Sequence, residues 1–353
     1  MSPQASAVVI ADSISPTGIR LTTFQLRYWR PIHAECRTHR VVAQSAEQII
    51  EIANEISLMD DRNFSRNAGS SRARPSKAII EQVHNEPWEP IHWGANQAGM
   101  QAHAENEQAI MIPRQLAHAF CAFLNMQYEE GGEYGCSRHV AWAFAAWNSA
   151  LMAGAFEAAN YHKQIVNRLL EPFTYIDVVV TATDYANWFA LRDHPDAQPE
   201  IQDLARRMKA AMEASTPKRL LTGEWHLPYI LERDWQRAYE FLKKGRLTRD
   251  EPSLSEQTEL LKKISAARCA RVSYRAFDGT LSPFEKDLKL FEELLVSQPL
   301  HASPAEHQAT PDAYVSNSFT AGGWAYPELH GNLRGWIQYR KTLPNECVPE
   351  VAR

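Results

Sequence analysis

Residues 64–75 read FSRNAGSSRARP, three serines and three arginines around one asparagine and one glycine. Those residue types suit a phosphate. A guanidinium gives an oxyanion two parallel charged N–H donors, and hydroxyls and backbone N–H groups around a glycine turn satisfy the remaining oxygens. Ser70, Ser71 and Arg72 are the candidate cradle. A solvated turn rich in Ser and Arg has the same composition, and short motifs match by chance, so the stretch alone leaves both readings open. Upstream, HAECRTHR at 33–40 adds Glu35, Thr38, His39 and Arg40. The spacing of His33 and His39 suits neither a helix face nor alternate strand positions, so no metal site is assigned.

Elements must position these groups. The run 19–29, IRLTTFQLRYW, is rich in β-branched and aromatic residues and predicts a strand. FTYIDVVVTAT at 173–183 predicts a second, fully buried one. Helical periodicity predicts helices over 46–59, 112–127, 197–214, 255–275 and 283–296, and a long one over 141–170, continuous or broken near Gly154. Residues 76–136 read as largely irregular before the helix at 112, and 215–257 as a surface excursion. No repeat or linker divides the chain. The expectation is α+β (mixed α/β), one catalytic domain over residues 1–353.

Composition limits the partners. The chain has 353 residues, 44% hydrophobic and 22% charged, with a formal net charge of −5. That acidic balance argues against nucleic-acid binding, while leaving room for a small anion in a locally basic pocket. The five cysteines form no CxxC pair and are odd in number, which argues against a disulfide framework or a zinc site. Reduced cytoplasmic thiols are expected. No basic–apolar leader is read at the N-terminus. The apolar run 141–156 is interrupted by Asn148 and Ser149 and falls short of the roughly 20 residues a membrane span requires.

The order of the motifs resembles the flavin-dependent thymidylate synthase family. Its signature is Arg-His-Arg followed by Ser-x-Asn-Glu-x-Ser-x-Arg. Here His39, Arg40, Ser65, Asn67, Ser70 and Arg72 match, while Thr38 stands for the first arginine and Ala68 for the glutamate. Residues 41–64 intervene where the family has a short gap, so they read as an insertion. NWFALRDHPDAQPEIQ at 187–202 is similar to a second block, matching at Asn187, Leu191, Arg192, Ala197, Gln198, Glu200 and Ile201, with Asp196 in place of a usual histidine. NRLLEP contains Arg168, at the position of a nucleotide-contacting arginine. SAARCARVSY (265–274) and HASPAEH (301–307) look like blocks that precede the arginine signature in ordinary members. Here they come last, so the chain reads as circularly permuted, which a fold tolerates when its termini lie close together at the surface. The resemblance is greatest to an enlarged branch that includes phage homologues and uridylate methylases of nucleoside-antibiotic biosynthesis.

The resemblance implies a flavin-dependent fold and C5-methylation of UMP or dUMP. Methylenetetrahydrofolate is the implied carbon donor, FAD the flavin and NADPH the reductant. Arg192 would polarise the uracil ring, raising electron density at carbon 5, with Arg168 as its partner. Ser70, Ser71 and Arg72 would hold the 5′-phosphate, and Glu35 stands at a nucleotide-binding position. Thr38, His39, Arg40, Asn67, Asn187, Ser273 and Ser303 would contact FAD, with His301 near the pterin. No cysteine sits in the setting of an enzymic nucleophile. Family members are homotetramers with shared sites. On a helix continuing through 156–169, Tyr161 and Gln164 would share a face with Arg168 and could reach the sugar; Tyr161 could equally be core. Two other readings stay open: a strict dUMP thymidylate synthase, and a nucleotide-binding homologue without flavin chemistry.

Overall fold

The computed structural model describes residues 5–38, 65–68, 75–98, 102–245, 250–273, 275, 280–297, 300–317, 320–344 and 346, with backbone only for Glu35, Arg37, 38, 65–68, 317, 320 and 321. The expected helix at 46–59 and the insertion at 41–64 lie outside these residues.

A five-stranded sheet organises the chain. Its strands are β1 (Ser6–Ile14), β2 (Arg20–Trp29), β3 (Ser65–Ala68), β4 (Tyr175–Ala182) and β5 (Lys218–Arg219), in the order β3-β4-β2-β1-β5. All pairings are antiparallel except β1 with β5. The helices are α1 (His33–Thr38), α2 (Ser76–Asn85), α3 (Ala117–Leu124), α4 (Arg138–Ala158), α5 (Ala186–Arg192), α6 (Pro199–Glu213), α7 (Glu232–Lys244), α8 (Leu254–Arg271) and α9 (Phe284–Leu295). The class is α+β.

Alternation along the strands sends residues to two differently covered faces. Phe24, Leu26, Val178 and Val180 join Ile201, Leu204, Ala205 and Met208 of α6 in one core. Pro199 at the first helical position suits the start of α6, where its missing N–H loses nothing. The opposite face carries Thr23, Val179 and Thr181, covered by residues 226–229, by α8 and by the turn at 303–307. Burial on both faces explains the uninterrupted Val178-Val179-Val180 run.

α8 opens with a capping box: the Ser253 hydroxyl accepts from Glu256 N at 3.2 Å, and Ser253 N donates to the Glu256 carboxylate at 2.8 Å. It packs between α7 and α9. Arg268, fully buried on α8, donates to Asp234 of α7 at 2.7 Å and to Asp287 of α9 at 3.1 Å. Burial, the largest single influence, raises the Asp234 carboxyl, but the Arg268 hydrogen bond, the Leu231 N–H and the charges of Arg268 and Arg237 together outweigh it and hold the group below the ordinary carboxylate range.

Three expectations change. The long helix ends at Ala158, well past Gly154, because Asn160 adopts a left-handed φ of 62° and turns the chain. A single helical turn (Lys163–Val166) and a 3-10 segment (Asn167–Phe173) follow. The span 76–136 contains α2, whose Ile79 and Val83 are buried against α4. Residues 215–257 are no excursion: Leu220, His226, Leu227, Tyr229, Asp234 and Ala238 are all buried. Their mixed composition reflects polar groups satisfied inside the fold. No helix of the described residues is long and apolar enough to cross a membrane.

Candidate functional site

Blocks far apart in the sequence meet at β4. β3, the SRNA of the opening motif, pairs with it in the register Ser65↔Thr181, Asn67↔Val179 and Ala68↔Val178. The 3-10 turn Ser303–Glu306 of HASPAEH packs on β3, as does α8, which carries SAARCAR. β4 leads within four residues into α5, bearing Asn187 and Arg192. The SRNA strand therefore pairs with β4 at the sheet edge, SAARCAR and HASPAEH meet its Val179–Thr181 face, and the 187–202 block leaves the end of β4 to pack on the opposite, Val178–Val180 face.

The backbone under that edge is strained. Val179 packs against Tyr229, Cys269 and Val272. Tyr229 and Val272 hold φ of 62° and 56°. A left-handed β-branched residue is a conformational outlier that only surrounding packing sustains, and such outliers concentrate at functional sites.

Arg192 ends α5, and its Nε is shielded from solvent with no hydrogen-bond partner among the described residues. The following Asp193 is occupied elsewhere: hydrogen bonds from Arg206 and Lys209 hold its carboxyl below its usual range. Asn187 is half-buried on the same helix.

Arg168 lies in the 3-10 segment, exposed, 3.9 Å from Glu171, which Arg30 also approaches at 3.5 Å. Glu171, Arg30, His33 and Ala34 line a cleft of about 460 Å³. Glu35 follows Ala34 on α1, so its backbone lies next to a residue that lines the cleft. Tyr161 does not share a helix face with Arg168. It sits in the turn after α4, exposed, with its ring 5.0 Å from Phe156; the seven-residue spacing loses its meaning once Asn160 breaks the helix.

His301 is exposed, with its backbone N donating to Leu294 O at 2.7 Å, and Ser303 opens the 3-10 turn. The Ser273 hydroxyl accepts from Arg275 N at 2.9 Å in a local turn. His39, Arg40, Ser70, Ser71 and Arg72 lie outside the described residues, as do the side chains of Glu35, Thr38 and Asn67.

Beside these groups runs a buried hydrogen-bonded chain. Ser13 Oγ lies 2.8 Å from His226 Nδ1, and His226 Nε2 lies 2.7 Å from Thr23 Oγ1. Thr23 Oγ1 lies 2.7 Å from Thr181 Oγ1, which lies 2.8 Å from His307 Nδ1. His307 Nε2 is buried with no partner among the described residues. Burial pushes both imidazoles down to about 3, so both are neutral at physiological pH. A neutral imidazole donates from one nitrogen and accepts at the other, and each hydroxyl has a single proton. The chain is therefore directional, fully satisfied only when all its donors point the same way. His226 escaped the sequence reading because WHLPY carries no periodic signal; His307 was visible only as the last residue of HASPAEH.

Cys121 and Cys269 are buried, and burial pushes the Cys136 and Cys269 thiols up, away from the reactive thiolate.

No protein-family model matches the chain, and no curated protein matches it.

Proposed function

We propose that the protein is a flavin-dependent C5-methylase of a uridine 5′-monophosphate, UMP or dUMP, with the permuted and enlarged fold of the flavin-dependent thymidylate synthases. The observation that carries the reading is convergence. The blocks are scattered along the chain, those that come first in ordinary members coming last, yet Ser65–Ala68 pairs with β4, Cys269 and Val272 of the 265–274 block and His307 of HASPAEH reach its Val179 and Thr181, and the 187–202 block follows from its end. A chance motif match has no reason to assemble in space.

In this reading Arg168 and the Ser70-Ser71-Arg72 loop hold the nucleotide through its anionic groups. Arg192 donates to the uracil carbonyl and stabilises the negative charge that develops as carbon 5 becomes nucleophilic. Its shielded, unpartnered Nε fits a donor awaiting a ring acceptor. Thr38, His39, Arg40, Asn67, Asn187, Ser273, His301 and Ser303 would hold FAD, which when bound supplies carbon transfer from methylenetetrahydrofolate and a hydride, NADPH being the reductant. The neutral, buried His226 and His307 fix the Thr23–Thr181 pair and so the position of β4 beneath the site.

The reading includes a homotetramer in the cytoplasm. α4 is apolar on every side, yet Leu151 and Met152 are half exposed, as expected of a helix that another subunit covers. The four described cysteines are free, which suits a reducing compartment.

Two measurements test the function together: the absorption spectrum of the purified protein, and tritium release from 5-tritiated UMP and dUMP with methylenetetrahydrofolate, FAD and NADPH. Folate-dependent release is the expected result, and release from dUMP alone identifies a thymidylate synthase. A protein that neither carries nor takes up flavin, and releases no tritium, is a nucleotide-binding homologue and the reading fails.

A further inference from the structure

α4 buries one side and bares another. Ala146, Ala150 and Ala153, with Trp142 and Phe156, pack against α2 and the 3-10 segment. Phe144 and Trp147 pack on Phe120 and Phe123 of α3. What remains is a band of Ala141, Ala145, Asn148, Met152 and Ala155, with Leu151 at its edge. The steps of four and three along it average close to the helical period, so the band lies on one face. Ala145, Leu151, Met152 and Ala155 are exposed, and Ala141 and Asn148 are half-buried. No charged residue stands between His139 and Glu157. Single exposed apolar residues are ordinary, but a continuous band, here about 21 Å long at 1.5 Å per residue, marks a contact surface.

Two features say what covers it. The first is its relief. The N-terminal half is a trough of Ala141 and Ala145, and the C-terminal half is a ridge of Leu151 and Met152. A second copy laid antiparallel about a twofold axis through residue 148 brings together residues equally far before and after that point. Ala145 then faces the partner's Leu151, and Ala141 faces the partner's Ala155, so each ridge fills the other copy's trough. A parallel pair instead sets ridge on ridge and leaves the two troughs facing across a void, which forfeits packing. The second feature is Asn148. It stands at the midpoint of α4 and is the polar member of the band. Its Nδ2 donates to Phe144 O at 3.0 Å, the one hydrogen bond of that side chain among the described residues. On a twofold axis the amide meets its own copy, and each can donate to the other. A single Asn in an apolar helix contact fixes register in this way.

We infer that two copies of this chain pair through α4, antiparallel about a twofold axis at Asn148, with the Leu151–Met152 ridge of each seated on the Ala141–Ala145 trough of the other. The contact is isologous, the same patch serving both copies. The inference rests on the proposed reading only for there being more than one copy. It adds which faces meet and in which direction, and it uses no residue of the methyl-transfer site.

Cross-linking of the whole protein in solution tests it. Asn148→Cys lies on the axis, so a short bis-maleimide linker is expected to join two copies well above the wild-type blank, which carries the chain's own five thiols. Ala141→Cys lies seven residues from the axis, about 21 Å from its own copy, and is expected not to link to itself. It is expected to link to Ala155→Cys when tagged and untagged chains are co-expressed. A parallel pair would link Ala141→Cys to itself as readily as Asn148→Cys, and that result overturns the inference. So does an Asn148→Cys protein that links no more than wild type, or a wild-type mass of one chain in light scattering. Ala145→Leu and Leu151→Ala are each expected to raise the Kd of the pair at least tenfold with the circular dichroism spectrum unchanged. Together they restore one large and one small side chain at each crossing and should recover most of the loss; a double variant weaker than either single one overturns the register. Tritium release is measured alongside: its absence with the links intact counts against the methyl-transfer reading alone.

Discussion

Thr181 and His307, 126 positions apart, are joined by a 2.8 Å hydrogen bond in the interior. The contact ties β4 to the last residue of HASPAEH, and through Thr23 of β2 it reaches His226 and then Ser13 of β1.

That chain makes stability depend on pH. His226 and His307 have folded-state pKa values of about 3, against an ordinary 6.5. Between those values the unfolded chain binds protons that the native state excludes, so stability falls as pH drops from 6.5 towards 3. At pH 5 the loss is about 2 kcal/mol per histidine. Urea midpoints between pH 7 and 5 should shift downward accordingly, and His307→Gln should remove about half of the shift. An unchanged slope in that variant would show that His307 titrates normally.

Arg268 joins three helices through Asp234 and Asp287, both fully buried. Arg268→Ala removes the cation that the two buried carboxylates share, leaving Asp234 to Arg237 and Asp287 to Arg271, and should cost about 3 kcal/mol. Arg268→Ala with Asp234→Asn and Asp287→Asn should recover part of that loss, because the excess buried negative charge is gone. Chemical denaturation of the single and triple variants measures the difference.

Arg192→Lys keeps a positive charge but loses the planar fork and its Nε donor. In the methyl-transfer reading, tritium release should fall at least a hundredfold with the thermal melt unchanged. Activity within threefold of wild type would remove Arg192 from the chemistry.

Leu151 and Met152 are 50% and 54% exposed on a helix with no charged residue between His139 and Glu157. Replacing both with glutamate should shift the assembly to smaller species in light scattering while preserving the circular dichroism spectrum. An unchanged mass would mean that another surface holds the subunits together.

What the sequence determined by itself is local. Strands β2 and β4 and helices α6, α8 and α9 follow from period and β-branching, because each buries a face or is buried on both. β1 was missed because its alternation is interrupted by Ala11, Asp12 and Ser13, and Asp12 finds its partners only in Arg20, Thr22 and Ser215. The motif residues could be named, but not how they meet: proximity between position 65 and position 303 is a property of packing, invisible to spacing along the chain. The same holds for His226, read as part of an excursion and found in the centre, and for Tyr161, whose helical phase ended at a left-handed Asn160. Glu200 shows the division most plainly. Its sequence block marks it as a helix residue within a motif; only the tertiary structure buries it beside Trp29 and Trp88, with its carboxylate accepting from Ile91 N. Burial and partnering are set by groups that arrive from elsewhere in the chain, and no local pattern encodes them.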